Sequence, residues 1–98
     1  MKAIFLAAAL LATPAFAKDA QVSISNFAFA MDVTVTPGST VTWKNLDGEP
    51  HTVASTGGLF HSPALDEGDS FSFKFEKPGV YPYICSIHPR MRATVTVR

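Results

Sequence analysis

Strict alternation of apolar and polar side chains in short runs is the feature that most constrains how this chain can fold. Four such runs stand out: Val33–Thr36, Thr40–Lys44, Phe71–Phe75 and Thr94–Val97. An apolar residue at every second position gives a β-strand one buried face and one solvated face. Short turn sequences that contain glycine separate the runs, and no stretch in this part of the chain has helical periodicity. The pattern predicts an all-β fold, a sandwich or barrel of short strands.

The segment before these runs is expected to form the first strand. Its apolar residues are Val22, Ile24, Phe27 and Phe29, and the break in their period of two indicates a bulge near Asn26. The sequence contains neither an internal repeat nor a linker. We therefore expect residues 18–98 to form one domain of two packed sheets, with the tryptophan and the phenylalanines in its core.

The first residues have the composition of a secretory signal peptide, which we assign to residues 1–17. A basic start at Met1-Lys2 precedes the apolar run Ala3–Ala12, and Ala15-Phe16-Ala17 offers a cleavage site of small residues. A membrane anchor is the alternative, but this run is well short of the roughly 20 residues needed to span a bilayer. We expect export to the periplasm, without stable membrane insertion.

Charge and cysteine content limit the classes of partner and of stabilising element. Removal of Lys2 with the signal leaves seven basic against eight acidic side chains, so nucleic acid is not an expected partner. A small exported domain often needs a disulfide or a metal. The single cysteine, Cys85, excludes an intramolecular disulfide. It is either buried and inert, bonded to a second chain, or bound to a metal, and only the metal gives the histidines a role.

The stretch CSIHPRM near the carboxyl end carries three metal donors at steps of three: Cys85, His88 and Met91. Such spacing also describes one face of a helix, but Pro89 lacks an N–H and disfavours helical backbone at the residue before it. The stretch lies between two predicted strands and must turn back within a few residues. A tight loop of this kind can direct the three side chains to a common centre.

His51 is the natural fourth donor, because it follows the turn after the Trp43 strand and could lie beside the C-terminal loop. Two imidazoles, one thiolate and one thioether form the trigonal His₂Cys set with a weak axial Met that is used for copper electron transfer. Zinc favours cysteine, histidine and carboxylate, whereas thiolate and thioether suit Cu(I). Alone, Met91 would be interpreted as a core residue and Cys85 as a buried hydrophobe. Their conjunction predicts one copper ion.

The stretches Pro50–Val53 and Tyr81–Met91, with the alternating Thr-Val tail, resemble the cupredoxins, or small blue copper proteins. The Cys-x-x-His-x-x-Met spacing is most similar to the amicyanin-like and plastocyanin-like members. The resemblance implies a Greek-key β-sandwich with a type 1 site, in which His51, Cys85 and His88 bind copper strongly and Met91 binds it axially. It also implies that the backbone N–H of Thr52 hydrogen-bonds the thiolate.

Three residues depart from that pattern or lie outside it. Ile84 occupies a position where plastocyanins carry an exposed tyrosine, so the second electron path of plastocyanins is not expected here. Arg90 stands where amicyanin-like loops commonly have an aromatic residue, which makes the docking patch partly charged. His61 is outside the ligand positions and is expected to be an exposed loop histidine.

The function that follows is a soluble one-electron carrier rather than an enzyme, because a copper ion without an open position cannot readily bind a substrate. We expect a monomer whose donor and acceptor proteins dock near His88. A periplasmic copper carrier or buffer with the same fold is the alternative. A third interpretation, a sandwich without metal that serves adhesion or assembly, predicts a colourless protein.

Overall fold

The computed structural model describes residues 19–98, so the predicted signal peptide lies outside the described residues. Within this part of the chain the secondary structure consists of strands alone. None of it forms a helix long and apolar enough to cross a bilayer. The strands are β1 (Ala20–Ser25), β2 (Ala28–Phe29), β3 (Val33–Val35), β4 (Ser39–Asn45), β5 (Ala54–Ser55), β6 (Ser70–Phe75), β7 (Gly79–Ile84) and β8 (Arg92–Val97).

The strands form two four-stranded sheets with the orders β2-β1-β4-β6 and β3-β8-β7-β5. The pairs β1–β4 and β3–β8 are parallel, and the other pairs are antiparallel. Aromatic contacts join the two sheets, since the Phe29 ring of β2 lies 4.7 Å from the Tyr83 ring of β7 between centroids. The predicted all-β sandwich is confirmed, as are strands at the four alternating runs.

Strand β4 illustrates how the alternation builds the core. Val41, Trp43 and Asn45 point inward and are completely buried. The indole N–H of Trp43 donates a hydrogen bond to the hydroxyl oxygen of Tyr83 at 3.0 Å. Burial raises the pKa of Tyr83 to about 12, so its hydroxyl stays protonated at neutral pH. The prediction that Trp43 belongs to the core is confirmed.

The structure differs from the sequence prediction around Asn26. Instead of a bulge, a hairpin joins β1 and β2, with Ile24 opposite Phe29 and Ser25 opposite Ala28. The two residues between the strands, Asn26 and Phe27, both have positive φ, at 55° and 58°. A two-residue turn with positive φ at both positions has the twist of a type I′ hairpin, which normally prefers Asn-Gly. Phenylalanine in the glycine position hid this signal.

Phe27 is also an exception to the prediction that the phenylalanines form the core. Its side chain is 48% exposed, whereas Phe29, Phe60 and Phe75 are buried. The hairpin explains the difference, because a residue at the tip of a turn projects beyond the sandwich. Three loops, around residues 26–27, 46–53 and 85–91, meet at this end of the molecule.

Candidate metal centre

The C-terminal donors lie on a loop that begins where β7 ends and closes where β8 begins. The N–H of Cys85 donates to the carbonyl of Met91 at 3.1 Å, and the N–H of Met91 donates to the carbonyl of His88 at 2.9 Å. Pro89 fits this turn because it has no N–H to satisfy. The predicted tight loop is confirmed, and its hydrogen bonds fix the backbone of all three donor residues.

His51 reaches the same place from a distant part of the chain. Its backbone exchanges two hydrogen bonds with Leu65, of 3.1 and 2.7 Å, and its side chain is completely buried. Its Nδ1 lies 3.2 Å from the Nδ1 of His88 and 3.8 Å from the Sγ of Cys85. The Sγ of Cys85 lies 3.7 Å from the Nδ1 of His88. Three potential ligand atoms therefore form one compact triangle.

The size of this triangle is a test of whether a metal ion fits. Zinc binds imidazole nitrogen at about 2.0 Å and thiolate sulfur at about 2.3 Å, which in a trigonal plane separates donors by about 3.5 Å (N to N) and 3.7 Å (N to S). The observed separations differ from these values by about 0.3 Å or less. A single ion of the first transition row therefore fits between the three atoms, and size does not distinguish copper from zinc.

Met91 is the residue that distinguishes the two metals, because a thioether suits copper and is unusual for zinc. Its side chain is 5% exposed and belongs to the core, together with Cys85. The backbone bonds of Met91 to both Cys85 and His88 place it at the base of the ligand loop. Its role as the axial ligand stays a prediction.

The thiol of Cys85 lies in surroundings that favour its anion. Burial alone would raise its pKa, but the N–H of Thr52, 3.3 Å from Sγ, and the His51 and His88 side chains outweigh burial and lower the pKa to about 6. The predicted contact of the Thr52 N–H with this sulfur is confirmed. The Thr52 hydroxyl accepts a hydrogen bond from the N–H of Ser86 at 2.7 Å, so it joins the two ligand-bearing segments.

This pKa makes the stability of the metal-free protein depend on pH. The thiol has an ordinary pKa of 9.0 when exposed in the unfolded chain and about 6 when folded. The thiolate therefore adds to the free energy of unfolding fully above about pH 9, progressively less between 9 and 6, and not at all below 6. We expect the difference in stability between wild type and Cys85→Ala, measured by urea unfolding without metal, to grow from pH 6 to pH 9. A difference that stays constant across this range would contradict the prediction.

Asp47 is a residue of the site that was not predicted from the sequence. Its Oδ2 lies 2.9 Å from the Nε2 of His51, on the side of the ring away from the triangle. The same carboxylate accepts hydrogen bonds from the N–H groups of Asn26 (2.8 Å) and Phe27 (2.9 Å). The bond from Phe27, with those from His51 and Asn26, holds the pKa of Asp47 below its usual range. The sequence feature that could have indicated this contact is a carboxylate four residues before His51.

The Asp47 contact has a consequence for how His51 presents its nitrogens. In the tautomer that carries its proton on Nε2, His51 donates a hydrogen bond from Nε2 to the Asp47 carboxylate, and the bare Nδ1 is directed at His88 and Cys85. Histidines that bind metals commonly donate their other N–H in this way, and the partner fixes the ring orientation. The contact with Asp47 therefore fixes the His51 ring with Nδ1 directed at the other two potential ligand atoms.

Phe27 was not predicted as a site residue, because the phenylalanines were assigned to the core. Its ring centroid lies 5.1 Å from that of His51 and 4.9 Å from that of His88, nearly perpendicular to both. The His51 and His88 centroids are themselves 4.9 Å apart. Three rings thus form an almost equilateral triangle at the end of the sandwich.

His61 is exposed and bridges to Ala54, outside the cluster of ligand atoms. The expectation of an exposed histidine is confirmed. His61 is therefore separate from His51, Cys85 and His88, whose potential ligand atoms lie together.

Comparisons with known proteins agree with this geometry. A family model described as copper binding proteins, plastocyanin/azurin family, matches residues 17–98. Amicyanin-alpha from Methylorubrum extorquens is 38% identical over an alignment that covers 67% of this chain and 60% of that protein. The chain thus spans less than two thirds of that relative's length. Plastocyanin from Scenedesmus fuscus is 37% identical, with 67% of this chain and 81% of that protein covered.

Solved structures extend the similarity to the fold. A purple cupredoxin from Nitrosopumilus maritimus is 38% identical with a TM-score of 0.75, covering 82% of this chain and all of that one. The reduced Cu(I) form of an amicyanin variant is 29% identical with a TM-score of 0.78, covering 82% of each chain. This protein, with copper as its cofactor, belongs to the plastocyanin/azurin family of copper-binding proteins.

Proposed function

We propose that this protein is a one-electron carrier whose copper ion is bound by His51, Cys85 and His88, with Met91 as a weak axial ligand. The observation that carries the proposal is the triangle of two imidazole nitrogens and one sulfur, with sides of 3.2 to 3.8 Å, drawn from distant segments. Bound copper supplies a couple between Cu(II) and Cu(I). The protein holds the ligands in place and provides the docking surface for its redox partners.

The chain's own contribution is a cage that is rigid before the metal binds. Cys85 and His51 are completely buried, and backbone hydrogen bonds fix both of the segments that carry them. A rigid, buried cage of mixed nitrogen and sulfur donors suits electron transfer, because little rearrangement accompanies a change of oxidation state. Four protein donors would also leave copper no open position for a substrate, which argues for a carrier rather than an enzyme.

An optical and EPR spectrum of the copper-loaded chain tests this proposal. Thiolate bonding to Cu(II) gives an intense visible charge-transfer band, which ligation by nitrogen and oxygen alone does not give. Rapid reduction and reoxidation of this band by small redox reagents, without loss of copper, would support a carrier of electrons. The copper carrier or buffer remains the second candidate, and transfer of the metal to a copper-free acceptor faster than electron exchange would favour it.

The partner-docking surface is proposed to surround His88, which is half-buried on the ligand loop. Ile87 is 46% exposed beside it, and Pro89 and Arg90 are exposed as well. Such a patch suits a small, short-lived contact. Arg90 gives it a positive charge, so an acidic partner surface would be favoured.

Charge reversal by Arg90→Glu should slow association with an acidic redox partner at low ionic strength. The physical reason is the loss of local electrostatic attraction, which salt screens over about 10 Å at 0.1 M. Stopped-flow rates at several salt concentrations measure the effect, and Arg98→Glu, at the other end of β8, is the matched control. Rates that neither fall nor depend on salt would contradict this docking surface.

The proposal includes export to the periplasm. It is supported by the basic start, the apolar run and the small-residue cleavage site within residues 1–17. The mature chain would then begin at Lys18, as a monomeric domain of residues 18–98. N-terminal sequencing of the protein from a periplasmic fraction, with its mass in solution, tests both statements.

A further inference from the structure

The turn that carries Phe27 is strained for its sequence. Both central residues have positive φ, and the second, which prefers glycine in such turns, is an aromatic residue at 58°. Left-handed backbone is uncommon outside glycine, asparagine and aspartate, and bulky side chains adopt it only where the surroundings enforce it. Asn26 suits the first position. Phe27 does not suit the second position, so contacts of its backbone or ring must stabilise this conformation.

Asp47 is what enforces this conformation. Its two carboxylate oxygens accept the N–H groups of Asn26 and Phe27, and Oδ2 also lies 2.9 Å from the Nε2 of His51. One side chain thereby holds the tip of the hairpin and a ligand ring together. Hydrogen bonds to an ionised acceptor are among the stronger ones in proteins. The hydrogen bonds of Asp47, which also contacts the His51 ring, therefore offset the backbone strain at Phe27.

The ring placed by this turn lies against both histidines at once. Its centroid distances to His51 and His88 are 5.1 and 4.9 Å, within the range of favourable perpendicular aromatic contacts. With 48% of its surface exposed, the ring adds little to the core. Its covered half faces the two imidazoles, and its open half faces solvent.

We propose that Phe27 is the cover of the metal centre: a positioning residue, held by Asp47, that shields His51 and His88 from water and slows exchange of the bound metal. The proposal rests on the proposed copper site and deepens it. A covered site keeps its metal through many redox cycles, which suits an electron carrier and opposes the role of a copper donor.

Substitution of Phe27 by glycine tests the effect of the ring without changing the turn. Glycine adopts φ near 58° without steric cost, so Phe27→Gly keeps the hairpin and removes only the ring. Phe27→Leu retains an apolar cover. Leu59→Ala is the matched control, because Leu59 is 50% exposed and lies in the loop after β5, away from the ligands.

The first measurement needs no metal. Diethyl pyrocarbonate modifies unprotonated imidazoles, and the exposed His61 provides an internal reference in the same chain. In metal-free protein at pH 7.5 we expect Phe27→Gly to raise the rate at His88, relative to His61, several-fold. Phe27→Leu and Leu59→Ala should leave the ratio close to that of wild type. An unchanged ratio in Phe27→Gly would overturn the proposal.

The second measurement is the rate at which the Cu(II)-loaded protein releases its metal to excess EDTA. We expect Phe27→Gly to release copper on the order of tenfold faster than wild type, with little change in melting temperature. Failure of wild type to take up copper would refute the proposed function. Tight uptake with equal release rates in wild type and Phe27→Gly would refute the cover alone.

A double-mutant cycle tests the link between Asp47 and Phe27. If Asp47 acts by holding the ring in place, Phe27→Gly should accelerate release much less in an Asp47→Ala background than in wild type. Additive effects of the two substitutions on the logarithm of the rate would show that Asp47 does not act through Phe27.

Discussion

Replacing Cys85 by serine is expected to abolish the visible colour of the copper-loaded protein and to weaken copper binding on the order of a thousandfold or more. Loss of a residue that only hydrogen-bonds a ligand typically costs 10- to 100-fold in metal affinity, and loss of the thiolate itself should cost more. A serine hydroxyl stays protonated near neutral pH and offers copper no soft anionic donor. Optical titration with Cu(II), with a competing chelator, measures both effects.

The matched control is His61→Gln, which removes the one histidine that lies apart from the cluster. We expect its spectrum and affinity to equal those of wild type. Retention of the intense band in Cys85→Ser would mean that the thiolate is not its source. A loss of colour in His61→Gln comparable to that in Cys85→Ser would place the metal elsewhere.

The features that could be predicted from the sequence are those set by local rules. Alternation with a period of two is a property of each strand by itself, so β4, β6 and β8 were recognisable from their own residues. The loop that carries Cys85, His88 and Met91 was equally recognisable, because it is short and Pro89 excludes a helix. His51 required one further inference, that two distant loops meet at one end of a sandwich.

The features that escaped prediction depend on contacts between distant residues. Asp47 bonds to Asn26 and Phe27 across 21 and 20 positions, and nothing in the local sequence indicates such a contact. The hairpin at Asn26 was hidden because its second position carries phenylalanine instead of glycine. Phe27 was assigned to the core because apolar residues are usually buried, a rule that gives no account of an aromatic side chain that covers a polar site.

Asn45 is the least visible of these residues in the sequence, and its loss is expected to have the largest effect on stability. It ends β4, is completely buried, and uses every group of its amide. Its Nδ2 donates to the carbonyls of Glu49 (2.9 Å) and Leu65 (2.8 Å), and its Oδ1 accepts the N–H of Asp47 (2.9 Å). One side chain thus fastens the turn that carries Asp47 to the segment that pairs with His51.

We expect Asn45→Ala to lower the free energy of unfolding of the metal-free protein by about 3 kcal/mol. The buried carbonyl of Leu65 loses its donor, and the partly buried Glu49 carbonyl and Asp47 N–H lose their partners. An unsatisfied buried group costs about 1–3 kcal/mol. The expected loss is a large share of the roughly 5–15 kcal/mol that stabilises a typical domain. Urea unfolding followed by tryptophan fluorescence measures it.

The control is Thr42→Val, also on β4, whose hydroxyl bonds to Ser72 at 2.6 Å on the exposed face. A solvated bond of this kind should cost less than about 1 kcal/mol. A similar loss in Thr42→Val and Asn45→Ala would mean that burial of the amide network is not what matters. If the network does orient the turn, Asn45→Ala should also release bound copper faster than Thr42→Val, because Asp47 would lose its fixed position beside His51.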